Sequence, residues 1–272
     1  MTEILEDQQF ELPDRPSRSG PPVRVEPSPR RVRVVFNHVT VADSTRVLLL
    51  LERGHLPVYY FPVDDVRLDL LEPTAKSTHC PHKGDASYWT LTVGDRVSEN
   101  AVWGYQEPLP ASAEIKGHVA FYWNRVDAWY EEDDEVFAHP RDPYHRVDVL
   151  HSSRHVRVEL GGQTVADTRR PRLLFETGLP TRYYIPQADV RMDLLEPTDT
   201  VTRCPYKGLA SYWTARVGDQ VTKDVAWGYP SPIPECPKIE QLVCFFNEQV
   251  DAVYVDGELQ PVPKSPWSRR GA

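Results

Sequence analysis

Thr78-His79-Cys80-Pro81-His82-Lys83-Gly84-Asp85-Ala86-Ser87-Tyr88-Trp89 returns later in the chain as Thr202-Arg203-Cys204-Pro205-Tyr206-Lys207-Gly208-Leu209-Ala210-Ser211-Tyr212-Trp213, at an offset of 124 residues. The same offset carries Asp43 to Asp167, Glu52 to Glu176 and Tyr59-Tyr60 to Tyr183-Tyr184. It also carries Arg67 to Arg191, Trp103 to Trp227, Phe121 to Phe245 and Asp127 to Asp251. A gapless repeat of this length means two copies of a complete domain, not a stack of short units. Positions kept in both copies can therefore be set against positions that drifted.

Working outward, residues 31–132 form repeat one and residues 154–256 form repeat two. Residues 1–30 are rich in Pro, Ser, Arg and acids and read as a disordered or wrapping tail. Residues 133–153 read as a linker, and residues 257–272, with Pro261, Pro263 and Pro266, as a second tail.

Each repeat reads as antiparallel β. Val32–Phe36 meets Val39–Val41 across Asn37-His38, and Val156–Leu160 meets Thr164–Ala166 across Gly161-Gly162, both hairpin signals. Val58–Pro62, Val66–Leu70, Ser87–Val93, Ala101–Tyr105 and Val119–Trp123 are further short strands, with almost no helical period. The expectation is an all-β protein of two small antiparallel domains in tandem, related by a pseudo-twofold axis because isologous pairing is the commonest way for like domains to meet.

Composition narrows the function classes. The 272 residues carry a formal charge of −9, which disfavours a nucleic-acid backbone partner. No apolar run reaches membrane-spanning length and no apolar stretch follows the first charges, so a cytoplasmic location is expected, with no membrane partner. The four cysteines, Cys80, Cys204, Cys236 and Cys244, include no C-x-x-C pair, so free thiols and no metal site are expected. No glycine-rich phosphate loop is present and no cofactor is expected.

Phe-Asn, Ala-Asp-Ser, Tyr-Tyr-Phe-Pro, Asp-Val-Arg, Cys-Pro-x-Lys-Gly-x-Ala-Ser-Tyr-Trp, Ala-Val-Trp-Gly-Tyr and Val-Ala-Phe-Tyr follow one another in repeat one. In that order they resemble the DUF427 domain family, which also carries a nucleotidyltransferase-like label. The resemblance covers both repeats. It implies a small all-β, Mss4-like or β-tent-like fold, here without the paired cysteines of zinc-binding Mss4-like proteins. It implies no particular reaction.

The retained polar residues are the candidate site. Cys80 and Lys83 flank a proline-stiffened turn, as do Cys204 and Lys207, and Gly84 and Gly208 permit a close backbone approach. An ammonium beside the thiol would favour the thiolate; a buried cysteine beside a snorkelling lysine is the plainer alternative. Glu52 and Glu176 end apolar runs, and Arg67 and Arg191 lie among apolar neighbours. Either each Glu-Arg pair is buried and fixes register, or Glu acts as base or acceptor while Arg holds an anionic group. Asp69 and Glu72, which recur as Asp193 and Glu196, read as exposed strand-face charges. No histidine recurs between the copies, which speaks against a Cys-His pair working in both.

Strand alternation sends Tyr59 and Tyr60 to opposite faces, and Tyr88 and Trp89 likewise. An aromatic pocket is expected from Tyr59, Tyr60, Tyr88 and Trp103, with Tyr183, Tyr184, Tyr212 and Trp227 as counterparts. It suits a small planar or carbonyl-bearing ligand, bound with or without catalysis. The alternative is a non-catalytic scaffold in which the two repeats pair with each other.

Overall fold

In a computed structural model the described residues are 22–265, 267 and 268. The chain divides into two compact units between Asp142 and Pro143. Repeat one contains β1 (Val23–Pro27), β2 (Val32–Phe36), β3 (Val39–Ser44), β4 (Leu48–Glu52), β5 (Val58–Pro62), β6 (Leu71–Cys80), β7 (Gly84–Val93), β8 (Arg96–Gly104), β9 (His118–Phe121), β10 (Ala128–Glu131) and β11 (Asp134–Val136). Repeat two contains β12 (Val147–His151), β13 (Val156–Leu160), β14 (Gln163–Thr168), β15 (Arg172–Glu176), β16 (Arg182–Pro186), β17 (Leu195–Cys204), β18 (Gly208–Val217), β19 (Gln220–Gly228), β20 (Leu242–Phe245), β21 (Ala252–Val255) and β22 (Glu258–Leu259).

Both repeats have one topology. Repeat one pairs a seven-stranded sheet, β1-β4-β5-β9-β8-β7-β6, with a four-stranded sheet, β11-β10-β2-β3. Repeat two repeats the orders strand for strand, β12-β15-β16-β20-β19-β18-β17 and β14-β13-β21-β22. The chain is all-β, as its alternating sequence requires. Among the described residues no helix is long and apolar enough to cross a membrane.

The limits of the repeats are wider than the sequence suggested. β1 lies in the stretch read as a tail, yet it pairs along its whole length with β4, from Val23↔Glu52 to Pro27↔Leu48. Flanking prolines mask the Val-Arg-Val-Glu alternation, but β1 is an edge strand, where a proline at the last position is tolerated. β11 and β12 fall in the stretch read as linker, and β22 in the second tail. Residues 1–21 of the expected tail lie outside the described residues.

The main core of repeat one lies between the two sheets. Val32, Val34 and Phe36 alternate inward from β2, and meet Leu49, Tyr59, Phe61, Leu91 and Phe121 from the larger sheet. Phe61 and Phe121 meet edge-on at 5.7 Å. The hairpin residues Asn37 and His38 both have positive φ, as do Gly161 and Gly162, the geometry of the tight turn foreseen there. Asp127 accepts the Asn37 backbone N–H at 2.6 Å and Asp251 that of Gly162 at 3.3 Å. Retention of this aspartate in both copies is thus explained by the turn alone.

The larger sheet is buried on its second face too. There Leu50, Tyr60, Ala86, Tyr88, Tyr105 and Ala120 form a separate cluster with Val23 and with Ile115 of the 3-10 segment Pro110–Ile115. Repeat two has the matching cluster of Leu174, Tyr184, Ala210, Trp227, Tyr229 and Ile239. Tyr59 and Tyr60 are 2% and 1% exposed, so alternation sends both into apolar layers, one on each side.

Candidate functional site

The retained polar residues converge on this second face. Cys80 closes β6, and the chain turns over Pro81 and His82 with the Lys83 N–H donating to the Cys80 carbonyl at 3.3 Å. Gly84 follows with φ +95° and Gly208 with φ +108°. A Cβ on Gly208 would stand 3.2 Å from the Ile233 backbone nitrogen, so both the conformation and the neighbouring chain call for glycine. The Leu109 N–H donates to the Lys83 carbonyl at 3.1 Å, and that of Ile233 to the Lys207 carbonyl at 3.0 Å. The turn is thereby pinned under the segment that follows β8 or β19, and its lysine points inward.

In repeat one the Lys83 ammonium donates to the Glu52 carboxylate and lies 5.9 Å from the Tyr105 ring centre. The Cys80 thiol donates to Glu52 Oε1 at 3.9 Å. In repeat two Lys207 Nζ reaches both oxygens of Glu176, at 2.7 and 2.6 Å. Lys83 and Lys207 are only 8% and 7% exposed. Both ion pairs tie the β6–β7 or β17–β18 turn to the end of β4 or β15, on the far side of the same sheet face.

Aromatic rings surround each pair. Tyr60 and Trp103 meet edge-on at 6.4 Å and 78°, Tyr184 and Trp227 at 6.3 Å and 82°. The Tyr88 hydroxyl shares a hydrogen bond with Thr78 Oγ1 at 2.8 Å, and that of Tyr212 with Thr202 at the same distance. Burial pushes Tyr105 above its ordinary value, and does the same to Tyr184 and Tyr229.

Two expectations are corrected. Arg67 and Arg191 do not meet the glutamates. Each is exposed and forks onto the aspartate two residues on, Asp69 or Asp193, at 2.6 and 2.8 Å. The 3-10 turns Leu68–Leu70 and Met192–Leu194 swing them outward where a strand had been expected. The buried partner of Glu is lysine instead. Tyr59 and Tyr183 also leave the site: they pack with the core between the sheets, and the Tyr59 hydroxyl donates to Glu131 at 2.8 Å.

Sequence reasoning missed three residues. Tyr105 and Tyr229 sit against the ion pair, and their common offset could have signalled them. His145 could not have been found that way, because its counterpart by offset is Pro21. It shares a hydrogen bond with Glu176 Oε1 at 3.0 Å and stacks on Tyr206 at 4.3 Å.

Burial alone would raise the Glu176 carboxyl. Hydrogen bonds from His145 and Lys207, with the lysine charge, outweigh it and hold the pKa at about 2 instead of 4.5. The folded state therefore gains from an ionised Glu176 at any pH above its unfolded value. That gain, about 3 kcal/mol, is lost as pH falls from 4.5 toward 2. Urea unfolding across this window should show a steeper acid loss in the wild type than in Glu176→Gln. Equal slopes would contradict the assignment.

The four thiols divide in two. Burial pushes Cys236 up to about 11 and Cys244 up to about 12, while Cys80 and Cys204 are half-buried beside the ion pairs. Partial alkylation of native protein, read by mass spectrometry, should label Cys80 and Cys204 at least about ten-fold faster than the other two. Equal rates would refute this ordering.

The model of the family described as "Domain of unknown function (DUF427)" matches residues 24–132 and again 148–256. The chain belongs to this family, in two tandem copies. Both matches begin within the first strand of a repeat, and both take in the glutamate, the cysteine-lysine turn and the rings around them. No curated protein matches the chain.

Proposed function

We propose that each repeat is a non-catalytic module for a small planar ligand bearing a carbonyl or carboxylate. The ligand lies against the second face of the larger sheet, over Trp103 and the Cys80–Lys83 turn, and Lys83 supplies the charge-assisted hydrogen bond. Tyr60, Tyr88 and Tyr105 are the packed apolar layer beneath the ligand.

The observation that carries this reading is the repetition of a buried Lys-Glu pair with a thiol beside it, away from the core between the sheets. Burying two charges costs several kcal/mol per ion, and an apolar filling would serve the fold as well. A pair kept in both copies has a use beyond packing. Catalysis is not part of the proposal, because no base recurs beside the thiol and its nearest carboxylate is held by lysine.

Ligand-observed NMR with a panel of planar carboxylates tests the reading. At least one should give saturation transfer from the intact protein that Trp103→Ala weakens. A panel that is silent at millimolar concentration, or signals indifferent to Trp103, would favour the scaffold alternative.

A further inference from the structure

The second-face clusters of the two repeats differ in their sulfur. That of repeat one holds Cys80 alone, whereas that of repeat two holds Cys204, Cys236 and Cys244. By offset the last two stand where repeat one has Ser112 and Ala120. Strand order decides which of them Cys204 can meet. Cys204 closes β17 and Cys244 lies in β20, with β18 and β19 between them. Three strand spacings put the two about 14 Å apart, beyond the roughly 7 Å that a disulfide allows between Cα atoms.

Cys236 is placed otherwise, because its segment crosses the Cys204–Lys207 turn. The Ile233 N–H donates to the Lys207 carbonyl at 3.0 Å, Pro232 bridges to Gly208, and the Cys236 N–H turns back to the Ile233 carbonyl at 2.9 Å. Repeat one shows where this side chain points. Ser112 has nearly the same backbone, φ −139° and ψ 27° against −128° and 43° at Cys236. Its hydroxyl donates to the His82 carbonyl, inside the Cys80–Lys83 turn, at 3.4 Å. Cys236 therefore aims its sulfur at the turn that begins with Cys204. Accordingly, its thiol feels the charges of both Lys207 and Cys204.

We propose that Cys204 and Cys236 form an oxidation site, a dithiol that a peroxide converts to a disulfide. Repeat one lacks it because Ser112 stands in place of the second thiol. Cys204 is half-buried and within reach of a small oxidant, while Cys236 is 5% exposed and held protonated by burial, so Cys204 reacts first. Its thiolate attacks a peroxide oxygen, the O–O bond breaks, and the hydroxide leaves as water with a proton. The sulfur of Cys236 then attacks the resulting sulfenic acid. The S–OH bond breaks, and the hydroxyl leaves as a second water with the Cys236 proton. Two thiols have lost two electrons, and hydrogen peroxide has gained them. The new bond joins the turn covalently to the segment that crosses it. The site does not depend on a ligand being bound.

Hydrogen peroxide in slight molar excess over the reduced full chain, followed by peptide mapping without reductant, tests the pair. A Cys204–Cys236 linked peptide is expected, lighter by two hydrogens than its reduced parts and released by dithiothreitol. Cys80, with no second thiol in its repeat, is expected as a sulfenic acid that dimedone traps. Cys236→Ser gives repeat two the repeat-one residue, and should make Cys204 a dimedone-trapped position like Cys80. Ser112→Cys should do the converse and bring a link to Cys80. Dimedone trapping of Cys204 as complete in the wild type as in Cys236→Ser overturns the proposal. So does a Cys204 linked mainly to Cys80 or Cys244, or one that stays reduced at peroxide levels that oxidise glutathione. A folded Ser112→Cys chain without a link at Cys80 would contradict the placement on which the pair rests.

Discussion

Lys83→Met is expected to destabilise repeat one by roughly 3–5 kcal/mol, because it leaves the Glu52 carboxylate buried without its partner. The Glu52 side chain is 9% exposed and that of Lys83 10%, so water replaces the lost bond only in small part. Glu52→Leu should cost a similar amount from the other side, leaving the Lys83 ammonium buried without its carboxylate. The double variant Glu52→Leu, Lys83→Met is expected to recover most of the loss, since a buried ion pair replaced by apolar groups of similar volume is often neutral or better. Urea unfolding of the four proteins gives the coupling directly. Two single losses that simply add in the double variant would mean that the pair is not one energetic unit.

The second large effect is expected at Arg182 and Glu248, whose side chains are 5% and 0% exposed. Arg182→Met leaves Glu248 with only uncharged donors, the Ser265 hydroxyl and a backbone N–H, and a loss of about 3–5 kcal/mol is expected from repeat two. Burial would raise the Glu248 carboxyl, but Arg182 outweighs it and holds the carboxyl below its ordinary value. Without Arg182 that restraint is gone, and the variant should become more stable as pH falls and Glu248 takes up a proton. Repeat one shows that the fold does not require the pair, since Val58 and Asn124 stand there. Arg182→Val with Glu248→Asn should therefore cost less than Arg182→Met alone. Thermal unfolding at pH 5 and pH 8 separates these outcomes; a single variant insensitive to pH would contradict them.

These two pairs show how far the sequence could be read. The repeat offset made the domain count and the all-β class legible, because strand alternation and tight-turn residues are local signals. β1 was hidden, since an edge strand of five residues bounded by prolines looks like a tail until its partner β4 is seen. Repetition also singled out Glu52, Cys80 and Lys83, but not who pairs with whom. Arg67 recurs as faithfully as Lys83, and only the 3-10 turn after it sends it to solvent. Tyr59 and Tyr60 could be assigned to opposite faces by periodicity. Which face held the polar cluster was decided by the turn at Gly84, through a contact with a segment some 25 residues away. His145 and the Arg182–Glu248 pair belong to one copy only and leave no mark in a comparison of copies.

On the proposed function, the retained ion pair serves a ligand and not the fold. The Glu52→Leu, Lys83→Met variant, matched to the wild type in stability, isolates that claim. Saturation-transfer NMR with the planar carboxylate that binds the wild type most strongly is the measurement. A folded variant whose transfer signal falls to background is expected. A folded variant that binds the same carboxylate as well as the wild type would contradict it and leave the pair as a strap between the turn and β4.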